Sequence, residues 1–382
     1  MISTVIILGE HIQALGLARQ AYSLGLKVIV AFKNRCNVAR FSKTVDTFIH
    51  YSDDESLTRH LLAQKDSNTL LFPTSDDMIE YLDNHREDLD AFFSIGIPDR
   101  NCIRIFANKR NTYRFCEKEG IPHPESYYPN TIEEAKVIAN RVTFPVIIKP
   151  AVMYQFHALT KRKAILCHDR DELINKLEEL KEIIPIQELI IQEFLKGGAQ
   201  SLYSYGTFAV NGEPKCWITA NRIRQNPMDF GNSTTFAVSC NIPEIEESAK
   251  QILKLTNYTG LAEVEFMFDA NKGVYKFLEI NTRAWKWHTI SKGDGFGFFS
   301  EMLRYLNGNP PVFLPKSRTV AWVEMLSDII IIVKEVVKGR MSLWGALASY
   351  RIPKTHAVWD RRDPLPAIMY ILLSPVLYFI RH

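Results

Sequence analysis

Two alternating runs joined by a turn constrain this chain more than any other stretch. Between Tyr258 and Asp269, Val264, Phe266 and Phe268 alternate with Glu263, Glu265 and Met267. Gly273 to Asn281 alternates in the same way, with Asn271-Lys272-Gly273 between the runs. This period of two predicts a pair of half-buried strands in a hairpin. Glu265 and Glu279 then lie opposite each other, and Asn281, two positions past Glu279, leaves the same face. Two carboxylates and an amide are a poor set for zinc or copper. They suit Mg²⁺, which prefers hard oxygen donors and completes its shell with water and phosphate. The implied partner is a nucleotide. Arg283, at the next position on that face, is a fixed cation able to grip a phosphoryl or acyl-phosphate oxygen bidentately.

Gly260, Glu265, Glu279, Asn281 and Arg283 together resemble the closing motif of the ATP-grasp superfamily. Its members activate a carboxylate as an acyl phosphate and pass it to an amine, thiol or similar nucleophile. The resemblance implies that Glu265, Glu279 and Asn281 hold the Mg²⁺ of MgATP, with Mn²⁺ as a substitute. It also implies an α/β and α+β fold in four parts: an N-terminal parallel α/β domain (1–107), a lid subdomain (108–195), a larger mixed-sheet catalytic lobe (196–315) and a helical C-terminal extension (316–382).

The N-terminal residues fit that layout independently. Thr4–Leu8, a helical pattern through Leu15, Ala18 and Tyr22, and Lys27–Ala31 read as a β-α-β unit of a doubly wound parallel sheet. Gly9 to Gly16 lacks the Gly-x-Gly-x-x-Gly spacing, which disfavours nicotinamide chemistry. A further strand, Thr69–Pro73, runs into Thr74-Ser75-Asp76-Asp77, residues that favour helix capping. The resemblance places this strand end at the catalytic cleft and makes Ser75 and Asp76 weak substrate-site candidates.

From Asn108 to Gly120 the pattern predicts a helix with Phe115 inward, stopped by Gly120 and Pro122. In the resembled family, Lys109 at its start contacts nucleotide phosphates. Thr143 to Pro150 is a buried strand that would fix the Lys149 ammonium in place, over the α- and β-phosphates by resemblance. The next segment, 151–163, is poor in glycine where the family has a phosphate loop, so Lys161 or Lys163 would supply lid charge. Leu189 to Gly198, an apolar strand followed by paired glycines, matches the hinge between the lobes. There the main chain of Glu193 and Leu195 would read the adenine edge, and Gln192 and Gln200 are side-chain candidates for adenine and ribose.

Strands 201–210 and 214–219 form a hairpin about Asn211-Gly212 and lead into Arg222 and Arg224 on one strand face. The stretch through Thr235 is similar to that of predicted carboligases, a branch that includes D-aspartate ligases. Arg224 is expected at the γ-phosphate or acyl phosphate, with Arg222 beside it. Trp287 stands where biotin-dependent carboxylases carry a carboxylate base, which argues against bicarbonate carboxylation, and Trp285 fits the carboligase branch. His288 reads as a packed histidine before a base or substrate contact.

Residues 316–382 hold ten Lys and Arg against five Asp and Glu. The apolar run 365–380 is too short to span a bilayer and is broken by Pro375. It suits peripheral contact with the inner face of the membrane, docking on its own core, or a homodimer. A whole-chain net charge of +3 implies no nucleic-acid partner, and six cysteines without a Cys-x-x-Cys pair indicate a reducing cytoplasm. The resulting expectation is an ATP-dependent carboxylate–amine ligase acting on small molecules, with an amino acid joined to a cell-wall or surface-glycan precursor. Arg283, Arg224 and Arg222 would be its catalytic cations. An ATP-binding sensor or assembly protein, or a membrane-surface scaffold, are the alternatives.

Overall fold

The computed structural model describes residues 1–34, 37–152, 164–229, 231, 233–312 and 319–381. Lys161 and Lys163, the expected lid cations, lie outside these residues, as does Cys36. The chain opens with β1 (Thr4–Leu8), α1 (Ile12–Ser23), β2 (Lys27–Phe32), β3 (Thr47–His50), α2 (Asp54–Leu62), β4 (Thr69–Pro73), α3 (Asp76–Asn84), α4 (Arg86–Leu89) and β5 (Ser94–Ile95). These strands make the expected parallel sheet, in the order β3-β2-β1-β4-β5. Successive residues feed opposite cores. Val5, Ile7, Val30 and Phe72 pack with α1, whereas Ile6, Leu8, Ile29 and Leu71 pack with α2 and α3. A sheet covered on both faces needs such unbroken apolar strands.

α5 (Arg100–Phe106) leads to α6 (Lys109–Glu119), whose ends follow the sequence signals. The Asn108 side chain accepts from the N–H groups of Arg110 and Asn111 at 2.9 and 3.4 Å, and Gly120 closes the helix at φ +67°. β6 (Ser126–Tyr127), α7 (Ile132–Ala139), β7 (Val146–Pro150), β8 (Ile165–Cys167), α8 (Arg170–Leu180) and β9 (Leu189–Glu193) form a small lobe with sheet order β6-β9-β7-β8.

The large lobe contains β10 (Leu202–Val210), β11 (Glu213–Asn226), β12 (Ser233–Cys240), α9 (Pro243–Leu255), β13 (Gly260–Asp269), β14 (Val274–Asn281) and α10 (Phe298–Leu306). It also contains β15 (Ala321–Val323), α11 (Met325–Val337), α12 (Leu343–Ser349), β16 (Lys354–His356) and α13 (Leu365–Arg381). The sheet order is β14-β13-β10-β11-β12-β15-β16. Strands β15 and β16, within the expected extension, therefore complete the large lobe's sheet instead of hanging from it. α13 docks on the chain's own core through Ala367, Tyr370 and Leu373. The same core joins α1 to Phe208, Ile218, Trp285 and Trp287, so the parallel sheet and the large lobe share one apolar interior.

Candidate active site

The hairpin forms in the expected register. Glu265 pairs with Glu279, and Glu263 pairs with Asn281. Between Glu265 and Phe266 the register shifts, because Leu278 is an extra residue on β14. The bulge resets the alternation, so Lys276, opposite Met267, shares the face of Glu279 and Asn281. α6 holds the bulge in place: the fully buried Tyr113 hydroxyl donates to the Leu278 carbonyl at 3.0 Å. Lys109, one helical turn before Tyr113, lies on the same side of α6, and its ammonium rests against Glu279. The Lys109 N–H also donates to the Ala151 carbonyl, at 2.9 Å, which ties the start of α6 to the end of β7, where Lys149 stands.

The carboxylates are closely packed, and those of Glu263 and Glu279 are shifted in opposite directions. Asn281 Nδ2 donates to Glu263 Oε2 at 2.9 Å and to Glu265 Oε1 at 3.0 Å. The Trp287 indole N–H donates to Glu263 Oε1 at 2.7 Å, and Arg222 lies 3.0 Å from Glu265 and 3.8 Å from Glu263. Burial, then the Glu265 charge, pushes the Glu263 carboxyl up out of the usual range. Glu279 goes the other way, because the Lys109 ammonium holds it well below that range. Burial and the same Lys109 charge push Lys149 down to about 8, against the pull of Glu279 and Glu265. Lys109 and Lys149 thus face the carboxylate cluster from the small-lobe side.

Arg283 reaches the other way. It grips Asp76 at the start of α3 through two bonds of 2.7 and 3.0 Å, and its Nη2 lies 3.3 Å from Asn281 Oδ1. The parallel domain therefore enters the site through Asp76, while Ser75 begins α3 without a side-chain cap.

Arg224 is a correction. The register shifts between Arg222 and Arg224, with Arg222 opposite Ala237 and Arg224 opposite Phe236, so the two arginines face opposite sides. Arg224 is buried over the Phe236 ring and donates to Asp328 at 2.9 and 2.8 Å and to Ser349 at 3.1 Å. It anchors α11 and α12 and is not a phosphate ligand.

In the hinge, the buried Gln192 side chain donates to Ser126 Oγ at 2.8 Å. Glu193 is engaged through main chain and side chain: its N–H donates to the Glu125 carbonyl at 2.8 Å, and its carboxylate accepts from Lys276 at 2.5 Å and from the Glu125 N–H at 3.1 Å. Its N–H is therefore already taken and is not left for an adenine edge. The Leu195 side chain is buried and Gln200 is exposed on the turn after Gly198. His288 is a core residue. Its Nε2 lies 3.4 Å from the Gln13 carbonyl and its Nδ1 3.4 Å from Gln20 Nε2, and burial pushes it down to about 3.

Three participants were not singled out from sequence. Glu263 shares the strand parity of Glu265, so its place on the site face was readable. Tyr113 could be found only as Lys109's helical neighbour, and Lys276 was hidden by the bulge. Among the described residues, no three His, Cys, Asp or Glu side chains are grouped to hold a metal by themselves. That donor set nevertheless fits Mg²⁺, whose shell is normally completed by phosphate and water. Arg222 Nε, buried and without a hydrogen-bond partner among the described residues, is a spare donor beside it.

Residues 108–310 match the family model for the ATP binding domain of the carbamoyl-phosphate synthase L chain. The D-aspartate ligase of Enterococcus faecium (strain Aus0004) is 22% identical over 300 residues, 73% of this chain and 70% of that protein. Of the carbamoyl phosphate synthase large-chain sequences it matches, the chain spans only 27 to 34%. The N5-carboxyaminoimidazole synthetase of Staphylococcus aureus has the same fold, with TM-score 0.67, 15% identity and 88% of this chain and 86% of that one covered. The biotin carboxylase domain of Hydrogenobacter thermophilus 2-oxoglutarate carboxylase, solved with MgADP, ADP and bicarbonate, gives TM-score 0.65, 16% identity and coverage of 81% and 70%.

Proposed function

We infer that this chain, which belongs to the family of the carbamoyl-phosphate synthase L chain ATP-binding domain and has the ATP-grasp fold, is an ATP-dependent ligase that joins a carboxylate to an amine. One observation carries the reading. Glu265, Glu279 and Asn281 meet on one strand face, with Lys109, Lys149, Arg222 and Arg283 gathered around them.

The roles follow from charge and position. Lys109 and Lys149, at the ends of α6 and β7, hold the nucleotide phosphates, and the hinge main chain at Glu193 and Leu195 lies along the adenine. Mg²⁺ held by Glu265, Glu279 and Asn281 would neutralise charge between the phosphates. The substrate carboxylate attacks the γ-phosphorus, ADP leaves, and the cations stabilise charge spread over the transferring phosphoryl oxygens. The amine nitrogen then attacks the acyl carbon. The tetrahedral oxyanion faces Arg283 and Arg222, inorganic phosphate leaves with the C–O bond pair, and the nitrogen loses its proton. Trp287 spends its N–H on Glu263 and offers no base for bicarbonate chemistry.

Similarity to a D-aspartate ligase supports an amino acid as one substrate and a cell-wall or surface-glycan precursor as the other. We place the enzyme in the cytoplasm, in keeping with five described cysteines that form no disulfide. Among the described residues, no helix is long and apolar enough to cross a membrane.

The test is ADP production across a panel of carboxylic acids and amines, with mass spectrometry of the product. A condensed product formed only with ATP and Mg²⁺ establishes the ligase. Nucleotide binding with no ADP formed from any pair would favour a sensor or assembly role instead.

A further inference from the structure

The helix α11 is inside out. It turns its acids inward: Asp328 is fully buried under Arg224, and Glu335 is buried in contact with Arg340. Outward it shows Ile329, Val333 and Val337, spaced four apart and so on one stripe, with Ile330 beside them. Val337 is 81% exposed. The next helix, α12, which packs against α11, extends the apolar surface with Leu347 and with Trp344, 80% exposed in its first turn. A helix facing water carries the opposite pattern, and an apolar surface gathered on two adjacent helices marks a docking site.

The charges around it indicate what docks. From 325 to 351 the chain has four cations, Lys334, Lys338, Arg340 and Arg351, all exposed, and its only two acids are the buried Asp328 and Glu335. Lys334 and Arg351 have no ion-pair partner among the described residues, and Lys338 is 3.8 Å from Glu335. Arg340 is occupied by Glu335 and Asp229. A twofold contact with a second copy would set these cations against their own images, which is repulsive. An anionic bilayer takes both features at once, with apolar side chains and an indole in the interfacial layer and ammonium groups on the phosphates.

We propose that the α11–α12 surface docks the protein on an anionic lipid bilayer as a peripheral contact. This is separate from the apolar run of α13, whose Ala367, Tyr370 and Leu373 are committed to the core. It is also independent of the ligase reading, since none of these side chains belongs to the active site.

The test is co-sedimentation of the full chain with phosphatidylcholine vesicles, with and without phosphatidylglycerol. Binding is expected to the anionic vesicles only and to weaken as salt is raised. The exposed double variant Val337→Ser/Trp344→Ser should lower the apparent affinity at least about tenfold. Lys334→Gln should lower it roughly fivefold. In both variants ATP consumption should be unchanged, so loss of docking and loss of the ligase are read separately. Equal binding to neutral and anionic vesicles, no binding to either, or full binding by the double variant overturns the proposal. So does a concentration-dependent dimer that Trp344→Ser dissociates, because the surface then belongs to a second copy.

Discussion

Glu279, half-buried, and the fully buried His288 show how neighbours decide the charge of a side chain withdrawn from water. Glu279 has an ammonium beside it and stays ionised, while His288 has only amide partners and stays neutral. Glu279→Gln keeps the shape and removes the charge, so ADP production should fall on the order of a hundredfold or more while the circular dichroism spectrum and melting temperature stay close to those of the parent. Unchanged turnover would reject the metal-site assignment. For His288 the effect is on stability. The unfolded chain protonates below the ordinary 6.5, whereas the folded chain resists until about 3. The stabilisation is therefore complete above pH 6.5 and is lost as the pH falls through that interval, by about 1.4 kcal/mol per unit. Denaturant titrations of His288→Gln should show a slope shallower by that amount. The carboxylate pair and Asn281 were legible in the sequence because strand parity and a Gly turn fix which side chains share a face. His288 was legible too, as a packed histidine. Glu263 followed the same parity, yet its raised pKa depends on burial and on the Glu265 charge that folding brings alongside it, against the lowering pull of Arg222 and the Trp287 N–H.

At the scale of the element, bulges separate what the sequence shows from what it conceals. A one-residue insertion exchanges the two faces of everything beyond it. On β14 the extra Leu278 brings Lys276 onto the site face, and on β11 the shift at Ile223 turns Arg224 away from Arg222. Nothing in Arg222-Ile-Arg224 announces that shift, and the partner that holds Arg224, Asp328, is 104 positions along the chain. Arg224→Ala leaves a buried carboxylate unpaired and should cost about 3–5 kcal/mol in chemical denaturation. Turnover per folded molecule should stay near that of the parent. Arg222→Ala strips the cation from Glu265 and Glu263 and should cost stability as well, but with a large loss of turnover per folded molecule. If Arg224→Ala were fully stable but inactive, its original assignment to the phosphate would return. The capped helix α6 was readable from Asn108 to Gly120. The three-residue strands β15 and β16 were not, since so short a run carries no period.

For the whole molecule, the parallel sheet and the hairpins of the large lobe followed from the order of local patterns, but the closure of the chain on itself did not. Arg19 on α1 donates to Asp363 at 3.0 Å and to the carbonyls of Val358 and Asp363 at 2.8 Å each, and Ser42 reaches the same carboxylate at 2.6 Å. The pair is buried on both sides, so Asp363→Ala should strand a buried guanidinium and lower the unfolding free energy by about 3–5 kcal/mol. Thermal unfolding should then begin in the parallel domain, with α13 released early to protease. A variant as stable as the parent would show that the two regions are held by apolar contact alone.

The resting contact between Lys109 and Glu279 bears on the order in which ligands arrive. An ammonium already neutralises the carboxylate, so a solitary divalent cation meets no net attraction there and would have to displace a tethered competitor. A triphosphate gives that lysine a better anion to pair with, and only then is the carboxylate released. Calorimetric titration with MgCl₂ alone should give no heat of binding up to millimolar concentrations, whereas the same titration after ADP is added should. The cleft would thus admit its metal as cargo of the nucleotide, and idle protein would not deplete the cell's free magnesium.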